Sequence, residues 1–343
     1  MARPRRAVLR DELITLAHGA GGKATRDLVE ALFLEELGNE TLSRLGDAAV
    51  VPGAGRLALS TDAYVVHPLE FPGGDIGELA VNGTVNDLAM VGAQPLWLTA
   101  GFVIEEGFPV ADLRRIVASM GAAARKAGVS VVAGDTKVVE RGNADGLFVT
   151  TAGVGTLADG VDLGPERVRP GDRVLLSGTL ADHGMAVMVA RGDLQLEAEI
   201  ESDTAAVHEL AAALVALGGA LRWMRDPTRG GLATALNEIS VAAGLAIVLD
   251  ESALPVRPAV NAACEILGID PLYVANEGKL IAIVAAEAAD EALAALRAHP
   301  LGADAVLLGE VRAEPAGLVL LDTALGGTRI VDMLVGDPLP RIC

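Results

Sequence analysis

Cysteine is almost missing from this chain: of 343 residues only Cys264 and Cys343 carry a thiol. Two thiols cannot make a disulfide framework or a zinc cluster. Cys264 lies in the apolar helical pattern NAACEILG and reads as a plain buried cysteine. Lysine is scarce too, since four of the 27 basic residues are lysine (Lys23, Lys126, Lys137, Lys279) and the other 23 are arginine. In so strong an arginine bias, a retained lysine is a candidate for a place that needs a compact point charge. Long apolar runs are lacking, and stretches such as Leu210 to Leu221 fall short of the ~18 residues of a membrane helix. The basic start MARPRRAVLR meets Asp11 and Glu12 before any apolar segment forms, so no signal peptide is expected, and a cytoplasmic location is. Net positive charge is absent as well. A balance of −19 and a pI near 4.6 exclude nucleic acid and an anionic membrane as partners, and an anionic ligand would need a metal or local donors.

What the chain does hold is small and apolar: 51% hydrophobic residues and 40 glycines, enough at this length for two domains with separate cores. Hydrophobic periodicity predicts helices over 25–37, 75–93 and 109–128, and strands over 56–62, 95–104, 129–135 and 146–156. Residues 157–174, rich in glycine, proline and charge, read as a connection. The second half predicts strands over 173–178, 245–250, 279–285, 305–311 and 317–321. Its helices are expected from 183, over 204–217, 231–243, 257–267 and 290–299. The expectation is an α+β protein with domains at 1–160 and 161–322 and a flexible tail, 323–343, that is free to reach. That tail ends in DPLPRIC, where Pro338 and Pro340 stiffen the approach to Cys343.

Several motifs carry possible chemistry. AHGAGGKAT (17–25) fails as a Walker A loop because Ala17 stands where glycine is needed. Gly19, Gly21 and Gly22 ahead of a helix, with Lys23, suit an anion, or else form a plain N-terminal arm. Asp47, Asp62, Asp87 and Asp135 stand in short acidic turns at the edges of apolar runs, either as caps or as hard oxygen ligands for a Mg²⁺–nucleotide. RDPTRGGL (225–232) suits an anion or a tight interdomain turn. Glu277 in VANEGK is either a solvated turn residue or a functional acid. His183 in GTLADHGMA reads as capping or packing, and His67, His208 and His299 occur alone.

Taken in order, AHGAGGK, STDAYVVHPLEFPGGDIGELAVNGTVNDLAM, AGDTKVVERGNADGLF, LSGTLADHG, RDPTRGG, ANEGKL and the closing PRIC resemble the PurM-like ATP-binding proteins across nearly the whole chain. Within that superfamily they resemble the carbamoyl dehydratases of NiFe-hydrogenase maturation, for which the terminal PRIC is the most specific element. The resemblance implies a two-domain PurM-like fold: an N-terminal ATP-binding domain whose sheet pairs with a twin in a homodimer, then a C-terminal α/β-sandwich domain. It implies that the carbamoyltransferase HypF loads Cys343, that ATP with Mg²⁺ drives dehydration to a thiocyanate, and that an iron-scaffold complex of HypC and HypD accepts the cyanide. By the same resemblance Gly19, Gly21, Gly22, Lys23, Thr61, Asp62, Asp87, Gly134 and Asp135 contact nucleotide, and Asp47, Asp62, Asp87 and Asp135 metal. Glu277 is the implied proton acceptor and Lys137 the charge near the carbamoyl oxygen. Many relatives have two adjacent acids where this chain has Gly46 and Asp47, which makes Asp47 the least certain ligand. Alternatives are a non-enzymatic nucleotide-binding carrier, or another ATP-dependent synthetase of the superfamily. Selenophosphate synthetase is disfavoured by the absence of cysteine from residues 1–263, and thiamine-monophosphate kinase leaves Cys343 unexplained.

Overall fold

Residues 9, 11–15, 18, 23–44, 55–192, 199–333 and 341–343 are described by the structure, a computed structural model. The helix expected over 25–37 is α1 (Lys23–Leu28) running through a π-helical turn into α2 (Leu34–Leu37). Strand β1 (Arg56–Tyr64) alternates in twos, turning Ala58, Ser60, Asp62 and Tyr64 inward and Leu57, Leu59, Thr61 and Ala63 outward. After it come the short β2 (Glu70–Phe71) and β3 (Gly74–Asp75), then α3 (Ile76–Met90), β4 (Gln94–Glu105), α4 (Val110–Lys126), β5 (Ser130–Val139) and β6 (Leu147–Leu157). The first sheet has the order β1-β6-β4-β5, antiparallel except for the β4–β5 pair.

Among the described residues, one face of this sheet is covered and the other leaves large apolar side chains exposed. Helix α3 starts at Asp75, whose Oδ1 accepts the N–H groups of Gly77 at 2.7 Å and Glu78 at 3.0 Å. It is buried nearly all round, as a helix must be when it lies between a sheet on one side and other helices on the other. The amphipathic α4 backs it with Leu113, Ile116, Val117, Met120 and Ala124. The outward face, by contrast, leaves Leu59 76% exposed and Leu57 50% exposed.

The second half contributes β7 (Arg173–Leu176), α5 (Asp182–Ala190), α6 (His208–Val215), β8 (Leu221–Arg225), α7 (Gly231–Ala243) and β9 (Ala246–Asp250). It continues with α8 (Pro258–Leu267), β10 (Ile281–Val284), α9 (Ala289–Arg297), β11 (Val306–Arg312), β12 (Val319–Asp322) and β13 (Thr328–Ile330). These strands form a seven-stranded sheet, β13-β12-β9-β11-β7-β10-β8, with only β12–β9 parallel. Helix α6 begins four residues later than periodicity predicts. The backbone before it is spent elsewhere: Ser202 N–H donates to Pro72 O at 2.8 Å and Ala205 N–H to Glu277 O at 3.5 Å.

The tail is not a free arm over its described length. Residues 328–330 pair with β12, and Val331, fully buried, donates its N–H to Val319 O and accepts from Asn237 Nδ2, both at 2.8 Å. The last three residues return to the body of the molecule, with Ile342 buried. Pro338 and Pro340 lie outside the described residues. No helix among the described residues is long and apolar enough to cross a membrane.

Candidate functional site

The C-terminal tripeptide is held by backbone and side-chain bonds to both halves of the chain. Val65 N–H donates to Cys343 O at 3.1 Å and His67 N–H to Arg341 O at 3.2 Å, so the terminus lies along the segment that leaves β1. Arg341 returns a bond from Nε to Val65 O at 3.0 Å and pairs with Asp145. From the second half, Arg191 donates to Arg341 O at 2.6 Å, and His183 Nε2 lies 2.9 Å from Ile342 O. Cys343 is half-buried there. Cys264 is buried in α8, and burial followed by the charge of Asp270 pushes its thiol up to about 11, which makes it inert.

Beside this dock is a cluster of buried acids. Glu277 is almost wholly buried and its Oε1 has no hydrogen-bond partner. Burial pushes its carboxyl well up, and repulsion from Asp226, Asp203, Asp62 and Asp87 adds to that. Asp226 is pushed up to about 7, first by burial and then by Asp87. Asp87 is raised by burial, partly offset by the 2.6 Å bond from Ser60 Oγ to its Oδ2. Tyr64 shares the space: burial, then Asp62 and Glu277, raise its hydroxyl. Asp203 behaves oppositely. Burial alone would raise it, but Lys279 Nζ at 3.0 Å, helped by the N–H of Glu277, outweighs that and holds it low. The cluster and the dock therefore have neighbours in common. Tyr64 precedes Val65, which binds the terminus, and His183 feels Asp203, which binds the Glu277 turn.

The residues expected from sequence divide into separate places. Asp62 and Asp87 are together on the inner face of the first sheet, with Glu277. Thr61, next to Asp62 in β1, points outward and donates to Thr151 O at 3.0 Å. Asp135, in register with Gly101, is exposed with Lys137 two residues on; Lys137 Nζ donates to its Oδ2 at 2.7 Å, and this bond holds the Asp135 carboxyl low. Gly134 pairs with Ala100, in the row that continues to Thr151 and Asp62. Three strand spacings, about 14 Å, separate β5 from β1, so Lys137 does not meet the docked Cys343 within one chain. Gly19, Gly21, Gly22 and Asp47 lie outside the described residues, as does the Lys23 side chain. Among the described residues no three acids, histidines or cysteines converge as a ready cation cage.

Sequence reasoning missed Asp203, Asp226 and His183 as parts of this site. Asp226 stands inside the motif RDPTRGG, where its neighbouring arginines and glycines drew attention instead. Asp203 had no motif at all, and its role follows only from the fold bringing residues 203 and 277 together.

The description "AIR synthase related protein, N-terminal domain" matches residues 45–157, and its C-terminal counterpart matches residues 169–321. The chain thus falls in the PurM-like class of two-domain α+β proteins. It is 58% identical over 341 residues to carbamoyl dehydratase HypE of Bradyrhizobium diazoefficiens, covering 99% of each. A crystal structure of the hydrogenase maturation protein HypE in complex with ATP superposes with a TM-score of 0.92 at 48% identity, over 96% of this chain and 99% of that one. A HypE–HypF complex structure matches at 50% identity and a TM-score of 0.79, over 90% and 99%. The chain belongs to the HypE carbamoyl dehydratase family.

Proposed function

We infer that the protein dehydrates an S-carbamoyl group carried on its own Cys343 to a thiocyanate, using ATP, and so supplies cyanide for the iron centre of a NiFe-hydrogenase. The reading rests chiefly on the built dock for the terminal tripeptide beside the buried turn of Glu277. A carbamoyl oxygen is a poor leaving group. Phosphoryl transfer from ATP to that oxygen lets it depart as phosphate while the two N–H protons are removed, leaving the carbon–nitrogen triple bond. Glu277 is suited to accept a proton because burial, and after it the charge of the surrounding acids, makes its carboxylate a stronger base than a solvated one.

In this reading ATP and Mg²⁺ bind at Asp62 and Asp87, with the glycine loop and Asp47 contributing from residues not described. The donor set fits a hard cation: Asp62, Asp87 and Asp226 repel one another across a small space, and Mg²⁺ needs only one or two carboxylates with phosphates and water completing its shell. Such a cation supplies charge neutralisation for the phosphates. Asp135 and Lys137 belong to the outward face, together with exposed Leu57 and Leu59. We assign that face to a homodimer contact, through which Lys137 reaches a reaction site. A HypF-like carbamoyltransferase loads the thiol, for which the terminus must leave its dock, and a HypC–HypD-like scaffold takes the cyanide, all in the cytoplasm.

Mass spectrometry of the C-terminal peptide tests the reaction. After incubation with a carbamoyl-donor system and Mg–ATP, Cys343 is expected to gain a carbamoyl group and then lose one water. A carbamoyl group that stays intact in the presence of ATP would reduce the protein to a carrier.

A further inference from the structure

We propose that His183 is a positioning residue for the C-terminal arm, and that Ser202–Thr204 tie it to the turn bearing Glu277, so that one rigid bracket sets arm and base relative to each other. Its consequence for catalysis rests on the dehydratase reading; its geometry does not.

His183 is fully buried at the start of α5 and packs edge-on against Phe71, ring centres 5.4 Å apart. Both ring nitrogens are engaged. The Ile342 carbonyl 2.9 Å from Nε2 can only accept, so Nε2 carries the proton. Nδ1 is then left to accept from Ser202 Oγ at 2.8 Å, and that oxygen in turn takes the Thr204 N–H at 3.0 Å. A neutral imidazole satisfies every polar atom of this chain, and burial lowers the ring's proton affinity and keeps it neutral. The next residue along, Asp203, holds the other end. Its Oδ1 accepts Glu277 N–H at 3.2 Å, and its Oδ2 accepts Gly278 N–H at 3.3 Å and Lys279 Nζ at 3.0 Å.

The turn cannot slide in this grip. A side-chain carbon at Gly278 would collide with the Asp203 carbonyl, so the two backbones touch. Helix α3 clamps both from the far side: Asn86 Nδ2 bridges Ala205 O at 3.0 Å and Glu277 O at 3.2 Å, and Asn82 donates to Thr204 Oγ1 at 3.2 Å. Three consecutive residues thus connect the carbonyl next to the reactive cysteine with the N–H of the base. A histidine serving only to fill the core would not need its outer nitrogen on the chain end.

The test uses the full-length protein with His183→Leu, which fills space but donates nothing, and His183→Gln, whose amide N–H has similar reach. Two rates are read: reaction of the unloaded Cys343 thiol with an aromatic disulfide, and single-turnover water loss from the carbamoylated protein with the KM for ATP. In His183→Leu the thiol rate is expected to rise about tenfold as the arm leaves its dock. Water loss is expected to fall about 10- to 100-fold with KM unchanged, as for a reactive group displaced by about an ångström. His183→Gln should recover most of both. Wild-type rates in His183→Leu overturn the proposal, and so does a His183→Gln protein that melts like wild type but reacts like the leucine variant. If the leucine variant does not fold, Ser202→Ala replaces it, and unchanged thiol reactivity there overturns the bracket. Failure of wild type to lose water would defeat the dehydratase reading and leave the thiol measurement intact.

Discussion

Asp226 is where the buried cluster has its clearest pH signature. Its carboxyl moves from 3.8 to about 7, so across that window the folded protein keeps a proton that the unfolded chain has released. Stability contributed by this group therefore falls as pH rises from about 4 to 7. Asp226→Asn removes the buried charge at the same size. Thermal melts should show it stabilising the protein at pH 8 and leaving it little changed below pH 4; equal effects at both would mean that the charge is not felt. Glu277→Gln keeps the backbone bonds of the turn and removes the proposed base. ATP should still bind while water loss from carbamoylated Cys343 slows about 10²- to 10⁴-fold, followed by mass spectrometry over time. At this scale the sequence was informative where residue type is restrictive. Cys343 and Glu277 inside ANEGK stand out as candidates from residue type and motif, whereas Asp203 and His183 became meaningful only once Ser202 and the tail were seen beside them.

Helix α3 shows how an element legible in the sequence acquires its purpose from packing. Its apolar run predicts a helix, but Asn82 and Asn86 look like interruptions until their partners are known. Asn86 Oδ1 accepts Val207 N–H at 2.8 Å while its Nδ2 holds Ala205 O and Glu277 O. Asn86→Leu leaves those groups unpaired and buried, which should cost at least about 2 kcal/mol in urea unfolding. A loss no larger than that of a surface substitution would show that water replaces the amide. The late start of α6 has the same origin: residues 202–205 satisfy their backbone across the molecule rather than within a helix. The edge strand at 328–330 went unread because three residues carry no measurable period and its register comes from β12.

For the whole molecule, the outward face of the first sheet, apolar and exposed among the described residues, is a feature that a single substitution can probe. Leu59, 76% exposed on a strand that otherwise alternates regularly, has no structural reason to be apolar within one chain. Leu59→Asp is expected to convert a dimer to a monomer by light scattering and to weaken ATP binding at least tenfold; a wild-type protein that is already monomeric would remove the premise. The sequence alone determined most of the element types and the two-domain class, and it singled out Cys343 as the candidate thiol, because these depend on local periodicity and on a residue type that occurs only twice. Tertiary structure alone decided that Asp62 and Asp87 face inward while Asp135 and Lys137 face outward, and that the tail ends in a dock rather than in solvent. The physical reason is that the pleat sends adjacent strand residues to opposite sides, and that the three-residue terminus is held by partners 150 to 276 positions away in the chain.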